Sequence, residues 1–118
     1  MSQRMRRVNQ SVQSVLAIHI ADLKDPRLGM VTVTEVRTRP DLSAAEVFYT
    51  VLPDDEETRA ATGEGLASAA PRLQRLLADE VRLRRTPALH FVEDPVPAQG
   101  RRIDELIEQA RPDDDHDS

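Results

Sequence analysis

The sequence predicts one α+β domain, in which a three-stranded sheet carries helices on one face. Three observations lead there. Residues 3–23 and 56–81 place apolar side chains at three- and four-residue intervals, the period of a helix with one buried side. Residues 30–38 and 44–51 alternate instead and are rich in Val and Thr, as half-buried strands are. The chain has 118 residues, 39% of them hydrophobic, which fills one modest core; with Phe48, Tyr49 and Phe91 as its only aromatics, that core is aliphatic.

The elements follow in order. Met5, Val8, Val12, Val15, Leu16, His19 and Leu23 form the buried stripe of the first helix, with Ser2 as its N-cap. Asp25-Pro26 ends it, because a residue before proline is pushed out of the α region, and Gly29 permits a tight turn. MVTVTEVRT (30–38) and AAEVFYTV (44–51) are two strands joined at Pro40-Asp41, close enough to form a hairpin. Adjacent Phe48 and Tyr49 must point to opposite faces of their strand, so one is core. Asp54, Asp55, Glu56 and Glu57 then lead into a helical region, where acids favour the positive end of the dipole. Gly63 and Gly65 weaken that start by about 1 kcal/mol each relative to Ala. Thr86-Pro87 closes the region, and ALHFV (88–92) is a third strand. Residues 98–110 read as a last helix with Ile103, Leu106 and Ile107 on one face, which gives a folded domain of residues 1–110. RPDDDHDS (111–118) has nothing to pack and is expected to be a disordered acidic tail.

Pro71 interrupts the second helical stripe without changing its phase. A proline inside a helix removes one hydrogen bond and clashes with the carbonyl four residues back, at a cost of about 3 kcal/mol, whereas at a first helical position it is well tolerated. The economical expectation is two helices, about 57–69 and 71–81, meeting at an interhelical kink formed by Ala69, Ala70 and Pro71. A helix start there would offer free N–H groups to a phosphate, with Arg72 and Arg75 beside them.

The resulting order of helix, strand, strand, helix, kink, helix and strand, plus a C-terminal helix, resembles a type II KH-like fold. Ordinary KH domains clamp nucleotide backbone with a GxxG loop, and no GxxG occurs here. An ordered set of pieces resembles the branch that replaces this loop with a kink, the ribosome-binding factor A family. The pieces are Arg7-Val8, Asp25-Pro26-Arg27-Leu28-Gly29 ahead of Val31-Thr32-Val33-Thr34, Asp41-Leu42, and Ala45 with Val47. They continue with Leu83-Arg84, Pro87, Leu89, Phe91 and Asp94, and then Gly100 with Ile103 and Leu106. At the kink the chain departs from the family's Ala-x-Gly, since Pro71 stands where glycine is usual. The resemblance implies a cytoplasmic, non-catalytic assembly factor. It would bind the free 30S subunit and its 16S rRNA, support late maturation and 5′-end processing of that rRNA, and matter most in the cold.

Net charge alone argues poorly for RNA binding, because it is −5. Its distribution argues better: residues 93–118 hold nine acids and three arginines, whereas residues 1–92 hold 13 basic and 12 acidic residues. The candidate RNA-binding residues are Arg72 and Arg75 after the kink, and Arg82, Arg84 and Arg85 entering the third strand. Arg4, Arg6 and Arg7 join them from the first helix, where cations oppose the dipole, as do Lys24 and Arg27 at the first turn. Asp25 has a structural alternative, holding that turn through nearby backbone N–H groups. One pair of aromatics supplies no stacking platform, so recognition through backbone and shape is expected.

Other chemistries find little support. The chain lacks cysteine, so thiolate metal sites are excluded, and His19, His90 and His116 show no ligand spacing. No nucleophile motif, signal peptide or membrane-spanning apolar run is visible. No cofactor or small-molecule substrate is expected, and a monomer is. The competing reading is a protein-interaction adapter of the same fold without RNA contact, to which the −5 charge lends support.

Overall fold

The computed structural model describes residues 2–95. The expected helix at 98–110 and the tail at 111–118 lie outside these residues. Within them the order is α1 (Gln3–Ala21), β1 (Met30–Thr38), β2 (Ala44–Leu52), α2 (Glu56–Glu80) and β3 (Ala88–Glu93). The sheet order is β1-β2-β3, with β1 antiparallel and β3 parallel to β2. Ala45, Val47, Tyr49 and Val51 are buried along β2 while Glu46 is exposed, so one face of the sheet carries the core and the other, among the described residues, is open.

Val12, Leu16 and Ile20 of α1, Leu66, Leu73 and Leu77 of α2, and Val33, Val36, Val47, Tyr49 and Leu89 of the sheet form one cluster. Tyr49 is thus the core aromatic. Phe48 lies half-buried on the open face with the Arg37 guanidinium 5.1 Å from its ring centre, a cation–π contact.

Local chemistry sets the boundaries. Ser2 Oγ accepts from the Met5 N–H at 3.1 Å, as an N-cap should. α1 ends at Ala21, earlier than Asp25-Pro26 suggests, and its cap residue Asp22 donates back to His19 and Ile20 carbonyls. Asp55 caps α2 by accepting from Thr58 N–H at 2.7 Å. A bulge at Thr34 shifts the β1–β2 register between Val33 and Glu35. It turns the inward set from Val33 to Val36, and Gln13 donates to the Val33 carbonyl at 3.0 Å. Asn9 accepts from Thr38 N–H at 2.9 Å, so α1 side chains satisfy β1 backbone groups at two points.

One expectation about α2 is corrected. The interhelical kink at Ala69, Ala70 and Pro71 does not divide the helical region: α2 runs unbroken from Glu56 to Glu80 with Pro71 inside it. Burial explains why the helix survives. Leu66 on one side of the proline and Leu73 and Leu77 on the other are wholly buried in the same core. Pro71 and Ala67, whose carbonyl loses its donor, are exposed, so water can take the missing hydrogen bond. With no helix start at Pro71, the expected cluster of free N–H groups for a phosphate is also absent.

Gly29, at the turn, does not take a positive φ. It is required for close approach, because a Cβ there would stand 2.6 Å from the Leu52 carbonyl oxygen and 2.7 Å from Val51 Cγ2. Its N–H donates to Thr62 Oγ1 at 3.0 Å, which ties the turn to α2. Among the described residues, Leu42 (φ 62°), in the hairpin loop, does take the left-handed conformation. Its side chain is buried, which offsets the strain of about 1–2 kcal/mol.

Candidate nucleic-acid interface

The candidate cations fall into groups that the sequence order does not reveal. Arg4 and Arg7, one turn apart on α1, face the residues that leave α2, and with Arg82, Val8, Ser11 and Leu83 they line one groove. Lys24, in the turn after α1, shares a second depression with Arg72, Ser68 and Ala69 from the middle of α2. Arg72 and Arg75 line a shallow surface on the adjoining side of the same helix, next to Asp79. The two groups are Arg4, Arg7 and Arg82 on the one hand, and Lys24, Arg72 and Arg75 on the other.

Other candidates stand apart. Arg85 lies in the field of Asp41 together with Arg39, at the hairpin loop. Arg6 and Arg84 are exposed and line neither groove. Arg27 is occupied: Asp25 takes its Nη2 at 2.8 Å and its Nε at 3.1 Å, and also accepts the Arg27 backbone N–H at 2.9 Å. These bonds hold the Asp25 carboxyl below the usual carboxylate range and push the Arg27 guanidinium up. Asp25 is therefore the turn-holding residue, and Arg27 is its partner.

Pairing separates the cations more sharply than position does. Arg27, Arg37 and Arg59 are held by Asp25, by Glu35, and by Asp54 with Glu93. Among the described residues, Arg4, Arg6, Arg7, Lys24, Arg39, Arg72, Arg75, Arg82, Arg84 and Arg85 make no ion pair. An unpaired arginine on a concave surface can accept a phosphate without first breaking an internal bond.

The sequence reading missed Arg37, Arg39 and His90, which line a depression on the open face with Glu46. The alternation of β1 was the available signal for Arg37, since it places that residue opposite the Val36 side of the strand. Among the described residues no group of three His, Asp or Glu side chains could hold a metal ion, and no helix is long and apolar enough to cross a membrane.

Fold and surface together define a small α+β domain with the KH-like element order and a cation-lined helical side. Solved structures share this architecture. The crystal structure of ribosome-binding factor A from Thermus thermophilus matches with a TM-score of 0.66 at 32% identity, over 75% of this chain and 94% of that one. A solution structure of a Thermotoga maritima protein described as a putative ribosome binding factor A matches with a TM-score of 0.70 at 29% identity, over 80% and 90%.

The chain belongs to the ribosome-binding factor A family, whose family model matches residues 4–107. It is 47% identical to the ribosome-binding factor A of Alkalilimnicola ehrlichii over 91% of this chain and 83% of that protein. To the one from Saccharopolyspora erythraea it is 44% identical over 92% of this chain, spanning 65% of the relative's length.

Proposed function

We propose that this protein is a ribosome assembly factor that binds the free 30S subunit by gripping 16S rRNA phosphates. Arg4, Arg7 and Arg82 would form one contact, and Lys24, Arg72 and Arg75 the other. Family membership supports the partner. So does the likeness, with a TM-score of 0.62 at 33% identity over 74% of this chain, to coordinates of Thermus thermophilus ribosome binding factor A fitted into the cryo-EM map of a 30S complex. The observation that carries the residue assignment is that these cations line the grooves and, among the described residues, make no ion pair with a carboxylate. In this reading the protein acts as a monomer in the cytoplasm, supports late maturation and 5′-end processing of 16S rRNA, matters most in the cold, and catalyses nothing itself.

Contacts to phosphate release counterions, so affinity should fall steeply with salt. On a sucrose gradient the protein is expected to travel with free 30S subunits at low salt and leave them as salt rises, while mature ribosomes carry little of it. The adapter reading, which rests on the net charge of −5, predicts a much flatter salt response. Co-sedimentation indifferent to salt would remove the RNA contact from the proposal.

A further inference from the structure

Outside the interior of a helix, three of the described arginines have a carboxylate two residues ahead of them. Arg27 follows Asp25, Arg37 follows Glu35, and Arg82 follows Glu80. The first two pairs are closed, each at 2.8 Å. The third is open, although the spacing is the same. Val81, between Glu80 and Arg82, has an extended backbone (φ −120°, ψ 121°), which turns the residues on either side of it the same way.

Glu80 is taken by another helix. Its Oε2 accepts from Nε2 of His19 on α1, 61 residues away in sequence. A carboxylate only accepts, so Nε2 carries the hydrogen. The His19 side chain is 18% exposed and that of Glu80 47%, so the imidazole is the anchored partner and the carboxylate the one with room to turn. Helix electrostatics do not keep Glu80 in place. It is the last residue of α2, it follows Asp79, and that turn has no basic residue, so the negative end of the dipole opposes both acids. His19, by contrast, is the basic residue in the last turn of α1.

The neighbours of Glu80 give the contact its meaning. Arg7, Ser11 and Val15, four residues apart on α1, line a depression with Glu80, Val81 and Arg82. This depression shares Arg7, Ser11, Val81 and Arg82 with the groove of Arg4, Arg7 and Arg82, so the two are continuous. Among the described residues Glu80 is the one carboxylate lining either of them. Released from His19, it would have Arg82 two residues on and Arg7 across the depression. Either pairing would neutralise a cation of the phosphate contact.

We propose that His19 is a positioning residue for RNA binding: by holding Glu80 against α1, it keeps Arg82 and Arg7 available to phosphate. His19 itself touches no RNA in this scheme. The inference rests on the RNA-binding reading of the groove.

Two readouts on the full chain separate the inference from that reading. In the free protein, the Arg82 Nε–H resonance should shift in His19→Ala and return in His19→Ala/Glu80→Gln. It should stay near its original position in His19→Gln, whose amide can still donate to Glu80. In a salt titration on free 30S subunits, His19→Ala should bind roughly two- to fivefold more weakly at about 0.1 M salt, the range of one exposed ion pair. Its slope of log K against log salt should fall by up to about 1. The double variant should recover both, because the liberated acid is gone. An Arg82 resonance that ignores His19→Ala overturns the proposal whatever happens to binding. So does a binding loss that persists in the double variant, or full-strength binding by His19→Ala where Arg4→Ala/Arg7→Ala/Arg82→Ala binds weakly. If the resonance moves as expected while that triple variant binds as tightly as the unchanged protein, the RNA reading of the groove fails, and the role of His19 falls with it.

Discussion

Two sets of arginines share this small surface and differ in what holds them. Arg27, Arg37 and Arg59 are held by carboxylates of the chain itself. Their charge is spent locally: Arg27 fixes the turn that delivers Gly29 against β2, and Arg59 links α2 to the residue that ends β3. Arg4, Arg7, Arg72, Arg75 and Arg82 have no such partner among the described residues and line the grooves around the helices. The difference teaches that counting basic residues does not locate a nucleic-acid surface. What matters is which charges remain available once the chain has satisfied its own.

This division predicts that changes to the scaffold alter stability and leave the salt dependence of binding alone. The largest effect is expected at Leu73, wholly buried just after Pro71. Leu73→Ala should lower unfolding free energy by about 2–5 kcal/mol in a urea titration. Where the variant is still folded, its salt slope on 30S subunits should equal that of the unchanged protein, and a changed slope would break the division.

Gly29→Ala comes next. The added methyl would press on the Leu52 carbonyl and Val51, so a loss of about 1–3 kcal/mol is expected by the same titration. Pro71→Ala acts in the opposite direction. It restores a donor for the Ala67 carbonyl within α2 and should stabilise by up to about 3 kcal/mol, less any solvent compensation, since both residues are exposed. A loss of stability instead would mean that the proline is accommodated by more than burial on either side.

The smallest effect is a pH dependence. Hydrogen bonds from Arg27, Ser43 and Thr58 hold Asp25, Asp41 and Asp55 respectively below the ordinary carboxylate range. A depressed folded-state pKa contributes stability above the unfolded value of about 4. That contribution is lost as pH falls through the lower folded value. Urea midpoints should therefore stay level down to about pH 4 and decline below it, and Asp25→Asn should make the decline shallower.

Much of the fold was legible because it depends on near neighbours. Ser2, the strands at 30–38 and 44–51, and the opposite facing of Phe48 and Tyr49 follow from capping chemistry and period-two alternation. The bulge left a trace, since apolar Val31 and Val33 are followed by Val36 and not by an apolar residue at 35. The continuity of α2 was not legible, because a local cost at Pro71 is outweighed by burial of Leu66, Leu73 and Leu77 against distant strands. The candidate site was legible in residue type and not in grouping. Asp25 with Arg27 and Glu35 with Arg37 are two residues apart and could have been flagged as internal pairs. The meeting of Arg82 with Arg4 and Arg7 exists only once α1 has packed beside the end of α2.

The most direct measurement compares two triple variants in salt titrations of 30S binding. Arg4→Ala/Arg7→Ala/Arg82→Ala should weaken binding roughly 10- to 100-fold at about 0.1 M salt and reduce the slope of log K against log salt by about 2 to 3, one phosphate for each arginine. Arg27→Gln/Arg37→Gln/Arg59→Gln should leave that slope within error of the unchanged protein. Equal losses from both variants, or a larger loss from the second, would contradict the division between spent and available charge.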